Sequence, residues 1–229
     1  MKNILIIVII GIIIIGWILF KKSLTSSKNI ETELKKQDNL NNNDYIKTFL
    51  EVYKPSNNLE KPNQKILEFG NKNLPKEIIE LWTKHGVGNY GNGIIKVINP
   101  EEYMGSFYKW LGKEDFNKIP ILMTGFGDIF FYDKTNNEIS FLDIHYGKIT
   151  QCVDSFEVFF GQFLIDENIK YGVLKEDLFS EALEKVGSIK NNEIYFFVPA
   201  LVLGGKQDIK NIKKGDASTH QHLLYDLNN

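Results

Sequence analysis

Arginine is missing altogether: all 27 basic residues in this chain of 229 are lysine. Arginine carries the planar fork that grips phosphates and guanine edges bidentately, so the chain is poorly equipped to read DNA sequence. Cysteine is reduced to one residue, Cys152, which excludes an internal disulfide framework and any thiolate zinc finger. Histidine is scarce at four residues. Neither an H-E-x-x-H stretch nor a Gly-Lys-Ser/Thr phosphate loop occurs. What remains has the make-up of a globular protein, with 24% charged and 43% hydrophobic residues.

Charge is unevenly placed. Residues 1–36 hold six lysines and two glutamates, a balance of +4, and the remainder is at -6. An acidic folded part suits a basic partner and disfavours nucleic acid, so no direct nucleic-acid binding is expected.

One long apolar run stands out, ILIIVIIGIIIIGWILF at 4–20, without a charge in it. At 1.5 Å per residue a helix of this length spans about 25 Å, near the lower limit for a bilayer. Trp17 and Phe20 sit where an aromatic belt lies, and Lys21 and Lys22 close the segment. A cleaved signal peptide is the rival reading. Its apolar region normally ends at an A-x-A-like site, whereas a Lys-Lys pair and SLTSSKN follow here. The expectation is a single N-terminal transmembrane helix, with residues 1–22 as an inner-membrane anchor. Five lysines at 21–36 favour a folded part on the cytoplasmic side by the positive-inside rule. The short basic start MKN argues for the periplasmic side, and both stay open.

Residues 23–43 are polar, end in an asparagine run and read as a linker. The rest divides into 44–153 and 154–229. LPKEIIELWTKHG is the clearest helix: Pro75 suits its first turn, Ile78, Leu81 and Trp82 share a face, and Gly86 stops it. PEEYMGSFYKWLG is a second, from Pro100 to Gly112. GIIKVIN, ILMTGFGDIFFYD, NEISFLDI and KITQCV read as strands, with a hairpin at Lys134–Asn137. Asp154 or Ser155 caps a following helix, KEDLFSEALEKVG forms an acidic one, and Asp216 caps the last. The fold class is α+β, a largely antiparallel sheet with helices packed on one side of it.

The motif order LPKEIIELWTKHGVGNYGNGIIKVINPEEYMGSFYKWLG resembles the GAD-like domain, and more distantly the SUKH immunity superfamily. From Leu178 to Leu227 the chain is similar to the C-terminal domain of type VI secretion DNase-immunity proteins. Leu178, Phe179, Ala182, Leu183, Gly187, the run EIYFFVPALVLGG at 193–205 and DASTH at 216–220 carry that likeness. The resemblance implies a protein that binds and blocks a cognate toxin, probed most directly through an adjacent gene. It implies no catalytic residue and no cofactor.

Other constellations point weakly elsewhere. Residues i and i+2 of a helix point about 200° apart, so His220 and His222 do not converge on a metal. Asp143 and His145 share a strand face but make only two ligands. Cys152 ends an apolar strand and reads as a small packing residue. Gly86–Gly93 follows a helix and precedes a strand, the reverse of a phosphate loop, and reads as a cap and turn. Gly204 and Gly205 likewise read as a turn. Glu101, Glu102 and Asp115 are carboxylates of solvated helix starts and turns.

For a blocking protein, carboxylates have a further use, because a nuclease cleft lined with cations attracts an acidic surface. Glu176, Asp177, Glu181 and Glu184 make the best acidic ridge. Tyr90, Tyr108 and Tyr146, at turns, are the candidate exposed aromatic anchors. The expected function is thus a membrane-tethered immunity protein that occludes a secreted toxin, a nuclease by this charge argument. The alternatives are a membrane-anchored scaffold module and a hydrolase using His145, His220 or Cys152.

Overall fold

The structure is a computed structural model that describes residues 44–229, with side chains from Tyr45 onward. The expected membrane segment at 4–20 and linker at 23–43 lie outside the described residues. Among the described residues, no helix is long and apolar enough to cross a membrane.

Among the described residues, three helices come first: α1 (Asp44–Val52), α2 (Gln64–Asn73) and α3 (Lys76–Lys84). The six-stranded sheet then begins with β1 (Gly88–Tyr90) and β2 (Ile95–Val97). Helix α4 (Pro100–Leu111) intervenes before β3 (Lys118–Thr124), β4 (Ile129–Asp133), β5 (Glu138–Asp143) and β6 (Lys148–Val153). Local chemistry sets the limits of α4. The Asn99 side chain accepts from the Glu101 N–H at 3.2 Å, Pro100 occupies the first turn, and Gly112 ends the helix at φ 68°.

All six strands pair antiparallel in chain order, each beside its successor. ILMTGFGDIFFYD, expected as one strand, is two. Gly125–Asp128 turns the chain: the Thr124 N–H donates to the Asp128 carbonyl at 2.8 Å, and the Asp128 N–H donates to Thr124 Oγ1 at 3.1 Å. A β-bulge between Pro120 and Leu122 absorbs one residue. Ile119 and Leu122 therefore oppose Tyr132 and Phe130 and join the same core, despite their odd spacing.

Helices cover both faces of the sheet, a correction to the one-sided expectation. The reason lies in β4, which is apolar at successive positions and buried throughout. Phe130 and Tyr132 face one way, toward Phe159 (centroids 5.3 Å apart) and Phe156 (5.6 Å). Ile129 and Phe131 face the other, and Phe131 meets Phe107 of α4 at 5.0 Å.

Phe156 opens α5 (Phe156–Val158), capped by Ser155, and the helix continues as a π-wound turn over Phe159–Phe163. Helices α6 (Glu167–Gly172) and α7 (Glu176–Lys185) follow. Then come a two-stranded antiparallel sheet of β7 (Glu193–Phe197) and β8 (Ile212–Asp216) and helix α8 (Ala217–Asn228). Asp216 caps α8, accepting from the Thr219 N–H at 2.8 Å.

These later elements close onto the first sheet. The Tyr195 N–H donates to the Gly125 carbonyl at 2.8 Å. A Cβ at Gly125 would lie 2.4 Å from Phe179, and one at Gly127 would lie 2.6 Å from Ile194. Two glycines at the hairpin tip thus let α7 and β7 press against it. On the far side, the buried Gln221 of α8 accepts from Ser106 Oγ at 2.7 Å and donates to the Gly127 carbonyl at 2.9 Å. Residues Tyr45–Asn229 are one compact unit.

Candidate interaction surfaces

Helix α7 places its apolar residues inward, with Phe179 and Ala182 buried. Asp177, Glu181 and Glu184 are exposed and spaced so that they share the outer face. Glu181 makes a long 3.9 Å pair with Lys185, both well exposed, which contributes little. Glu176 behaves differently. It is half-buried and pairs with Lys170 at 3.3 Å, and Lys170 also meets Glu167 at 3.2 Å. Those hydrogen bonds, from Glu167 first, hold the Lys170 ammonium above the usual lysine range. Glu176 therefore ties α6 to α7, and the outward ridge is formed by the other three carboxylates.

The three tyrosines part company. Tyr90 is fully buried in β1, its hydroxyl donating to the Gly86 carbonyl at 2.7 Å. Tyr108 is buried on the inner side of α4 beside Phe107. The expectation that both sit exposed at turns is corrected. The glycines flanking Tyr90 hide a short, wholly buried strand, and Tyr108 follows the helical period into the core. Tyr146 is 59% exposed, at the turn joining β5 to β6. It lines a groove of about 300 Å³ with Trp110, Leu111, Gly112, Gly147, Tyr225, Asn228 and Asn229.

A second set of polar groups is internal. Asp128, wholly buried, receives the Ile144 N–H at 3.1 Å and Thr124 Oγ1 at 3.3 Å, and pairs with Lys175 Nζ at 3.4 Å. Lys175 holds a left-handed backbone conformation at the start of α7, so this ion pair pins that helix to the hairpin turn. The Asp143 carboxylate accepts from the backbone N–H groups of His145 (2.9 Å) and Tyr146 (3.2 Å). It shapes a turn and is committed there. The His145 ring places Nε2 3.2 Å from the Phe126 carbonyl, an arrangement that requires the proton on Nε2. Among the described residues, its buried Nδ1 has no hydrogen-bond partner. Burial pushes the His145 pKa down, opposed by the Asp128 and Asp143 charges.

The remaining candidates are engaged locally. His220 stacks on Phe196 with centroids 3.5 Å apart. His222 Nδ1 lies 2.8 Å from the Ser218 carbonyl. Burial raises the Cys152 thiol to about 12, so it stays protonated at neutral pH. Among the described residues, no group of three or more His, Cys, Asp or Glu side chains could hold a metal ion.

Lys96 went unremarked in the sequence. It lies in the middle of β2, fully buried, donating to Asn89 Oδ1 and to the Lys190 carbonyl at 2.9 Å. Burial lowers its pKa to about 7, with Glu193 pulling the other way. It joins the large sheet to the loop before β7. The available signal was a lone lysine inside a short isoleucine-valine strand.

Taken together, the chain is an α+β scaffold with an outward acidic helix, an aromatic groove and buried polar groups tied into structure. The family described as T6SS immunity protein Tdi1, C-terminal, matches residues 154–228, and the GAD-like domain matches 44–144. The chain thus carries a region matching the GAD-like domain followed by one matching the C-terminal domain of a type VI secretion immunity family. Its fold is similar to the crystal structure of Atu4351 from Agrobacterium tumefaciens, with a TM-score of 0.62 at 16% identity, over 78% of this chain and 87% of that one. No curated protein matches the chain.

Proposed function

We propose that this protein neutralises a cognate toxin by binding it and covering its active cleft, with no substrate turnover of its own. The match of residues 154–228 to the Tdi1 C-terminal family carries this reading. The same stretch presents the Asp177, Glu181 and Glu184 ridge and most of the exposed apolar side chains. A nuclease surrounds its phosphate-binding cleft with cations, so an acidic surface both speeds capture and favours that target over neutral proteins. The toxin is accordingly a nuclease, encoded by a neighbouring gene. Residues 4–20 hold the protein at the inner membrane as a single span. The folded part lies on the cytoplasmic side, where the flanking lysines favour it. Tethering raises the local concentration of the binder against a toxin arriving at that membrane.

Co-expression with the product of the adjacent toxin-like gene tests the reading. The expected result is survival of the host and co-purification of a one-to-one complex. Undiminished toxicity with the protein present at matching levels contradicts it. Protease accessibility on spheroplasts tests the sidedness, with protection of residues 44–229 expected.

A further inference from the structure

The groove beside Tyr146 has a chemistry that the acidic ridge of α7 does not use. It forms where the end of α4, the β5–β6 turn and the last turn of α8 meet. Trp110 and Tyr225 make two of its walls, their rings at 90° with centroids 5.3 Å apart. Each of its side-chain nitrogen donors has an N–H directed elsewhere. The indole of Trp110 donates to the Gln221 carbonyl at 3.1 Å. Asn228 Nδ2 donates to the Leu224 carbonyl at 2.8 Å, and Asn229 Nδ2 to the Tyr225 carbonyl at 3.0 Å. A carbonyl can only accept, so each amide nitrogen faces its helix, with one further N–H left over, and each Oδ1 turns away. The backbone N–H of Gly112 is held by the Lys109 carbonyl, and that of Tyr146 by Asp143.

The groove thus offers ring faces and oxygen acceptors. Asn228 Oδ1 would lie 3.9 Å from a Cβ at Gly147, which sets that oxygen against the lining. Among the described residues, a Cβ at Gly112 would meet nothing within 4 Å, so the rim there is open. One ring already attracts a cation: Lys109 Nζ sits 4.9 Å from the Tyr225 centroid. The Asp226 carboxylate pairs with that ammonium at 2.6 Å and offsets its charge.

We propose that this groove receives an arginine side chain of the bound toxin, an inference that rests on the immunity reading. A guanidinium stacks on indole and phenol faces and carries five N–H donors for acceptors such as Asn228 Oδ1, Asn229 Oδ1 and the Tyr146 hydroxyl. A purely apolar side chain would leave those oxygens unpaired, and an ammonium cannot stack as a plane. The chain contains no arginine, so neither its own segments nor a second copy can supply one.

The test uses the full-length protein in detergent micelles, titrated with Nα-acetyl-arginine N-methylamide and with its neutral citrulline counterpart. The Trp110 indole NMR signal, assigned through Trp110→Phe, is the readout. Saturable shifts are expected with the arginine probe, at least about tenfold weaker binding with the citrulline probe, and loss of the response in Tyr146→Ala. Equal response to both probes overturns the proposal. In a second arm, Tyr146→Ala, with an unchanged melting temperature, is expected to bind the toxin at least about tenfold more weakly. Wild-type affinity for the toxin in that variant also overturns the proposal. A wild-type protein that binds the arginine probe but no toxin contradicts the immunity reading, and with it the toxin as the arginine's source, while the guanidinium site itself stands.

Discussion

The two family-matched regions solve the burial problem in different ways. Residues 44–144 contribute most of a sheet whose central strand is buried on both faces, and they expose only two large hydrophobic side chains, Val52 and Phe116. Residues 154–228 contribute short elements that lean on that sheet, and they expose six: Tyr171, Val198, Val202, Leu203, Leu223 and Leu227. The first region is finished by intramolecular packing. The second leaves more apolar side chains exposed, together with the outer carboxylates of α7. The seam between them is tight, and dependence runs across it: Phe179 and Ile194 press on glycines of the hairpin turn.

That contrast can be broken at the seam. Phe179→Ala removes a buried ring that meets Phe126 and Tyr195, and is expected to cost about 3–5 kcal/mol. Chemical denaturation should show both regions unfolding in one transition at lower denaturant. A stable first region with a melted second one would break the claim of mutual dependence.

Lys96 sharpens the comparison through pH. Its folded pKa of about 7 lies below the unfolded lysine value of about 10.4, so between these limits the unfolded chain holds more protons. Stability should therefore rise with pH across that window and be lowest below pH 7. The slope is at most about 1.4 kcal/mol per pH unit for one proton. Lys96→Met should remove this slope, as read from denaturation midpoints at pH 7 and pH 9.

On the exposed surfaces, the effects should fall on binding and spare the fold. Asp177→Lys with Glu181→Lys should slow toxin association by roughly tenfold at low salt, with the difference shrinking as salt rises. Surface substitutions of this kind move stability by only about 0.5 kcal/mol. Stopped-flow association rates at two ionic strengths check this. Asp216→Ala, which removes the α8 cap, should cost about 1 kcal/mol and leave association unchanged.

Much of the scaffold was legible in the residues. Pro100 and Gly112 bracket α4, Asp216 starts α8, and Ile78, Leu81 and Trp82 mark the buried stripe of α3. The Gly125–Asp128 turn was not, because apolar residues on both sides disguise it as one strand. Helices on both faces were missed for a related reason: IFFYD lacks the polar alternation that would reveal a one-sided sheet. At the surface, the outward carboxylates of α7 follow from helical spacing, while the inward pairing of Glu176 depends on Lys170 in another helix. Tyr146 could be placed at a turn, but its groove could not be foreseen. Trp110 and Tyr225 come together only when α4 and α8 pack, 115 residues apart in the Ser106–Gln221 bond.

The central claim is that the protein works by occupying its partner. Titrating purified full-length protein into the neighbouring gene's toxin, while following nucleic-acid cleavage, addresses it directly. The account predicts a linear fall of cleavage to zero at one equivalent. Cleavage that persists unchanged at several equivalents would contradict it.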